Sequence, residues 1–113
     1  MELVDSAEWL GVPTIVLGEL EAAFRQSARL PRNLDELGAF LSHPVVDELT
    51  VDRDVARFYG EIVVALRSKG TPIPTNDIWI AATAARWGAT VLTSDRHFQA
   101  VDRVGVLLLG DSG

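Results

Sequence analysis

The chain has 113 residues and no cysteine, which predicts one domain over residues 1–113 and excludes disulfide bonds and thiolate metal sites. Apolar residues make up 48% of the chain, which is typical of a globular protein. Because no stretch approaches 18 consecutive apolar residues, we expect a cytoplasmic protein without a membrane span. The net charge of −6 argues against sequence-independent binding of long nucleic acid, but it leaves a nuclease open because carboxylates that hold a divalent metal are themselves acidic.

Helices and strands alternate along the chain. Apolar side chains at helical spacing indicate the helices, and short apolar or β-branched runs between them indicate buried strands. The predicted elements are the end of a helix at 3–10, a strand at 11–17, helices at 19–28 and 34–41, a strand at 45–51, helices at 53–68 and 77–87, a strand at 89–93, a short helical turn within 94–99 and a strand at 104–109. Pro13 is expected at the beginning of its strand, Asn33 and Asp52 as helix caps, and Gly88 at a helix end.

This alternation predicts an α/β fold with a parallel sheet covered on both faces, in which ligands bind at the carboxyl ends of the strands. Three acids are expected there: Glu19 after the first strand, Asp77 in the first turn of the Ala-rich helix and Asp95 after the third strand. Three converging carboxylates repel one another unless a cation lies between them, and oxygen ligands of this kind suit Mg²⁺ or Mn²⁺. A metal held in this way activates water for phosphoryl displacement.

Each acid also has a purely structural explanation. Carboxylates near helix N-termini, as predicted for Glu19 and Asp77, are stabilised by the helix dipole by roughly 0.3–1 kcal/mol. Asp95 can simply begin a turn. Of the two histidines, His43 is expected on a loop surface and His97 in solvent, although its place beside Asp95 also allows it to line the mouth of a site.

Three segments carry a family resemblance. Residues 16–20, Val-Leu-Gly-Glu-Leu, resemble the acidic motif that opens a helix in PIN domains. Residues 74–83, Pro-Thr-Asn-Asp-Ile-Trp-Ile-Ala-Ala-Thr, resemble the Asn-Asp segment of that family, and residues 88–98 are similar to its strand-plus-acid motif near the C-terminus. Each motif alone is weakly specific, but all three occur in family order over about residues 11–109.

The resemblance to PIN-domain ribonucleases of the VapC-toxin type implies a three-layer α/β/α fold and an endoribonuclease that cleaves RNA phosphodiester bonds with Mg²⁺ or Mn²⁺. Carried over by position, Glu19, Asp77 and Asp95 would be the catalytic residues and metal ligands, directly or through water. Asn76 and Thr93 would support the site by hydrogen bonding. The resemblance also implies a structured RNA substrate, an antitoxin protein as partner and a homodimer.

The N-terminus departs from the family pattern, which begins with a central strand ending in a ligand aspartate. Asp5 looks like that residue, but only 14 positions separate it from Glu19, and a parallel crossover needs about a dozen or more connecting residues besides the strand itself. We therefore expect the domain to be incomplete at its N-terminus, lacking roughly 20–30 residues with the first central strand. A gene start assigned too late is favoured over a truncated relic or a replacement strand from a second copy. Little or no cleavage is expected from the chain as written.

Two other functions stay open. A catalytically inactive, truncated PIN-like module would only bind an antitoxin-type partner, and a Mn²⁺ titration distinguishes it from a nuclease. A phosphoryl-accepting receiver domain also gathers acids at a sheet edge, but it needs a lysine after a late strand. Lys69, the one lysine of the chain, precedes the Asn76-Asp77 loop and disfavours that function.

Overall fold

The computed structural model describes residues 8–109. The elements, in chain order, are β1 (Leu10–Pro13), α1 (Thr14–Arg25), α2 (Leu30–Leu41), β2 (Val46–Leu49), α3 (Arg53–Lys69), α4 (Thr75–Trp87), β3 (Val91–Thr93), a 3₁₀ turn (Arg96–Ala100) and β4 (Val106–Leu108). Most of the predicted helix end at 3–10, and Asp5 with it, lies outside the described residues. Leu10 itself begins a strand, and its N–H donates to the carbonyl of Val45 at 2.8 Å.

The predictions for Pro13 and for the first helix were wrong. Pro13 ends β1, and α1 begins at Thr14, within the β-branched run that predicted a strand. Pro13 has an extended backbone with φ −63° and ψ 144° directly before the helix, and the Thr14 hydroxyl donates to the carbonyl of Leu49 at 3.1 Å. This contact ties the start of α1 to β2, and such tertiary contacts override the modest β propensity of the run. Glu19 consequently lies in the second turn of α1 rather than at its start.

The start of the second helix also differs from the prediction. Helix α2 begins at Leu30 with Pro31 in its first turn, a position where the missing proline N–H costs no helix hydrogen bond. Asn33 therefore lies inside the helix and does not cap it. The Ser27 hydroxyl oxygen accepts the backbone N–H of Arg29 at 3.1 Å and the side-chain amide of Asn33 at 3.5 Å.

The N-terminal cap of α3 and the C-terminal end of α4 agree with the predictions from the sequence, whereas α4 begins two residues earlier than predicted, at Thr75. The Asp52 carboxylate accepts the N–H of Val55 at 2.9 Å and caps α3, as predicted. Gly88 ends α4 in the left-handed conformation with φ 64°, which a residue with a Cβ adopts at a cost. Asp77 lies in the first turn of α4, as predicted.

The predicted α/β fold with parallel strands is confirmed, but the described strands form two sheets of two strands. Leu10 of β1 lies opposite Val46 of β2, and Val91 of β3 lies opposite Val106 of β4. The first sheet, with α1 and α2, belongs to a compact unit ending at residue 50, and the second, with α3 and α4, belongs to a unit beginning at residue 51. A single domain over residues 1–113 stays a prediction.

A hydrophobic core holds the second unit together, and α3 and α4 contribute most of it. Alanines supply three of its buried positions on α4, which lets the helices approach closely, and Tyr59 stacks on Trp79 with ring centroids 4.0 Å apart. The buried residues of this core are Val55, Ile62, Leu66, Ile78, Ala81, Ala82, Ala84, Val91, Phe98 and Val101. The core fixes the N-terminal turn of α4 and the loop after β3, which carry three of the predicted site residues, Asn76, Asp77 and Asp95. Across residues 8–109, no helix has both the length and the apolar character needed to cross a membrane.

Candidate functional site

The loop after β3 has a fixed local geometry. The backbone N–H of Asp95 donates to the Thr93 hydroxyl at 3.0 Å, and the Asp95 carboxylate accepts the backbone N–H of His97 at 2.9 Å. The second contact makes Asp95 the N-cap of the 3₁₀ turn. Short polar side chains form such local hydrogen bonds with the backbone readily, so the Thr-x-Asp-x-His spacing itself shapes the loop.

Packing fixes the other end of this turn. Phe98 is 3% exposed, and it is the buried residue of the 3₁₀ turn. It belongs to the same core cluster as Val91 of β3 and Ile78 of α4. Asp95 and His97 therefore stand between a hydrogen-bonded strand end and a buried aromatic anchor.

Asp77 reaches this loop from the start of α4. It is half-buried and directly precedes Ile78, which packs in the core of the second unit. Asp77, Asp95 and His97 each offer one ligand atom, and these three atoms lie within 4.8 Å of one another. The structure thus brings together two of the three predicted acids and adds a histidine.

Hydrogen bonding stabilises the ionised form of Asp95. Its pKa lies below the ordinary value chiefly because the backbone N–H of His97 donates to the carboxylate. Desolvation acts in the opposite direction, and the imidazole of His97 lowers the pKa further through its hydrogen bond and charge. Nδ1 of that ring lies 3.0 Å from one carboxylate oxygen and 3.2 Å from the other.

The remaining predicted site residues lie in different places. Glu19 is exposed on α1, in the first unit, whereas Asp77 and Asp95 belong to the second. Asn76 is exposed in the first turn of α4. Thr93 accepts the Asp95 N–H and so supports the loop backbone.

His97 was expected in solvent, and its side chain is indeed 59% exposed, yet it also contacts Asp95. Its spacing of two residues from Asp95 was the available signal. That spacing places the backbone N–H of His97 at the Asp95 carboxylate, but it does not fix the direction of the imidazole ring.

The donor set of this cluster fits a divalent cation. Two carboxylates supply hard oxygen ligands of the kind that Mg²⁺ and Mn²⁺ prefer, and imidazole nitrogen is a further ligand type for transition metals. Two carboxylates at this separation also repel each other, and a bound cation relieves that repulsion.

A groove of about 240 Å³ in the second unit contains none of the predicted site residues. It lies between α3 and the segment after the 3₁₀ turn. Its charged side chains are already paired, Lys69 with Asp102 at 3.0 Å and Arg103 with Glu61 at 2.8 Å. All four charged side chains that line the groove are thus engaged in ion pairs with one another.

Comparisons with known proteins identify the family of the chain. The PIN domain family matches residues 1–104. Ribonuclease VapC4 from Mycobacterium tuberculosis is 31% identical over 102 residues, which make up 90% of this chain and 78% of that protein.

Two solved structures share the fold. A chain in the crystal structure of VapBC2 from Rickettsia felis, bound to a DNA fragment from their promoter, superposes with a TM-score of 0.83 and 27% identity, over 95% of this chain and 80% of that one. A chain of VapBC-5 from Mycobacterium tuberculosis, a member of the VapBC family of toxin–antitoxin systems, gives a TM-score of 0.70 at 29% identity, over 86% and 79% of the two chains.

Proposed function

The chain belongs to the PIN-domain family and is of the VapC type, and on that premise we propose that it is a metal-dependent endoribonuclease. The observation that carries the proposal is the Asp77–Asp95 cluster, whose ligand atoms lie within 4.8 Å of each other and of one from His97. VapC4, the relative from Mycobacterium tuberculosis, is named a ribonuclease, which gives the substrate class.

Different residues of the chain have different proposed roles at this cluster. Asp77 and Asp95 would hold one Mg²⁺ or Mn²⁺ ion from two different elements, α4 and the loop after β3. Thr93 keeps the Asp95 backbone in place through the 3.0 Å hydrogen bond. When bound, the ion would act as a Lewis acid and lower the pKa of a coordinated water.

Glu19 and Asn76 belong to the proposal because of their sequence motifs. We assign Glu19 as a third acidic ligand, directly or through water, and Asn76 as a hydrogen-bonding support beside Asp77. Glu19→Gln and Asn76→Ala test these roles separately. Loss of metal-dependent cleavage is expected for the first and a smaller loss for the second.

Similar solved structures support the proposed protein partner. VapBC-5 is described as a member of a family of toxin–antitoxin systems, so an antitoxin protein that covers the acidic cluster is part of the proposal. We also propose that the protein forms a homodimer and is located in the cytoplasm, where RNA is available to the enzyme.

The test is RNA cleavage by the 113-residue chain in excess over a labelled structured RNA, because we expect its activity to be weak. We expect at most slow cleavage, which depends on Mn²⁺ or Mg²⁺, stops when a chelator is added and is abolished by Asp77→Asn. The asparagine keeps the shape of the side chain and removes its charge. Cleavage that survives the chelator or Asp77→Asn would contradict the proposal. Absence of both Mn²⁺ binding and cleavage would support the inactive, antitoxin-binding module instead.

A further inference from the structure

We propose that His97 is a positioning residue that orients the Asp95 carboxylate toward the divalent ion, an inference that rests on the proposed function of this cluster. The observation is the placement of the imidazole. Its Nδ1 lies 3.0 and 3.2 Å from the two oxygens of Asp95, and His97 shares the 4.8 Å cluster with Asp77.

His97 contacts Asp95 through both its backbone and its ring. Its backbone N–H donates to one carboxylate oxygen at 2.9 Å, and its ring approaches both. The Asp95 backbone is held in turn by Thr93 at 3.0 Å. With only the two backbone contacts, the carboxylate could still rotate about its terminal torsion, which is broad for aspartate. The ring contact restricts that rotation.

The position of Nδ1 decides the role of the ring. An ionised carboxylate only accepts hydrogen bonds, so the tautomer that bonds to Asp95 donates from Nδ1, and that nitrogen is then not available to a metal. His97 therefore acts through Asp95. Hydrogen-bond partners that orient a metal ligand typically contribute 10- to 100-fold in metal affinity.

The exposure of His97 separates this role from a role in folding. Its side chain is 59% exposed, and exposed contacts between charged or polar partners contribute little to stability. Removing the Nδ1 donor should consequently leave the metal-free protein folded. The effect should appear in metal binding instead.

Three substitutions in the full chain form the test. His97→Phe keeps the ring and removes the donor, and His97→Asn restores an N–H close to the position of Nδ1. Gln99→Ala is the matched control, since Gln99 is exposed on the same 3₁₀ turn. Free Mn²⁺ is measured by electron paramagnetic resonance during a titration of each protein, with the metal alone as probe.

We expect His97→Phe to weaken Mn²⁺ binding by about tenfold. His97→Asn and Gln99→Ala should bind like the unmodified chain, and the metal-free melting temperature should be the same in all four proteins. Equal binding by His97→Phe would overturn the inference and leave the proposed function intact. No binding by the unmodified chain would overturn both. Three other outcomes would each overturn the positioning role. The first is binding by His97→Asn as weak as that of His97→Phe, and the second is nitrogen coupling from a directly coordinated imidazole. The third is a lower metal-free melting temperature in His97→Phe.

Discussion

Phe98 connects the hydrophobic core to the acidic cluster, so its substitution tests how packing supports the site. It is 3% exposed and anchors a five-residue 3₁₀ turn whose N-cap is Asp95. Phe98→Leu keeps an apolar side chain but leaves a void in the core cluster, which also contains Val91 and Val101. The turn should then hold Asp95 less firmly.

The size of the effect follows from the carbon atoms removed. Leucine lacks about three of the buried carbons of phenylalanine, and at about 0.8 kcal/mol for each, with partial relaxation, the free energy of unfolding should fall by roughly 2 kcal/mol. For a chain of this length, 1 kcal/mol corresponds to about 4 °C in melting temperature. We therefore expect the Tm to fall by about 8 °C.

Thermal unfolding followed by circular dichroism measures this change, with Gln99→Ala as the control. The control side chain is exposed on the same turn and should shift the free energy of unfolding by less than about 0.5 kcal/mol. Mn²⁺ binding by Phe98→Leu should also weaken. A Tm within about 2 °C of the unmodified chain would show that Phe98 does not anchor the turn.

Three further predictions concern caps and charge. Asp52→Ala should lower the free energy of unfolding by about 1 kcal/mol, because α3 loses its N-cap, whereas Asp52→Asn should cost little; chemical denaturation compares the two. Gly88→Ala should lower the free energy of unfolding by about 1 kcal/mol because the φ of Gly88 is 64°. Gly18 lies in the interior of α1, where an added Cβ meets nothing within 4 Å, so Gly18→Ala should raise the free energy of unfolding by roughly 0.5–1 kcal/mol in the same assay. Asp95→Asn keeps an acceptor for the His97 N–H, so circular dichroism should stay native while calorimetry detects no Mn²⁺ binding.

The parts of the fold that the sequence predicted correctly depend on local signals. The Asp52 cap and the Gly88 helix end each need only the residues around them, so their positions could be inferred without tertiary information. The start of α1 could not, because the Thr14 hydroxyl bonds to Leu49, which lies 35 residues away. The role of Asn33 was missed for a related reason, since Pro31 allows α2 to begin earlier than the polar residue suggested.

In the candidate site, too, some features could be predicted from local sequence signals and others depend on the three-dimensional structure. Asp77 and Asp95 were predicted from their motifs and from their places after a loop and a strand, and the structure brings their ligand atoms within 4.8 Å. The contribution of His97 depends on the side-chain geometry of one turn, and the spacing of residues along a chain does not fix the direction of an exposed ring. Glu19 illustrates the limit of motif reasoning. The motif placed it at the start of a helix, but α1 begins at Thr14, so Glu19 lies in the second helical turn.

The Mn²⁺ dependence of the melting temperature, compared between the unmodified chain and Asp77→Asn, tests the proposed metal site most directly. At a metal concentration about 100 times the Kd, binding to the folded state adds about 2.7 kcal/mol, which corresponds to a rise of about 10 °C. We predict such a rise for the unmodified chain and little or none for Asp77→Asn. No rise in the unmodified chain, or an equal rise in both proteins, would contradict a metal site built on Asp77 and Asp95.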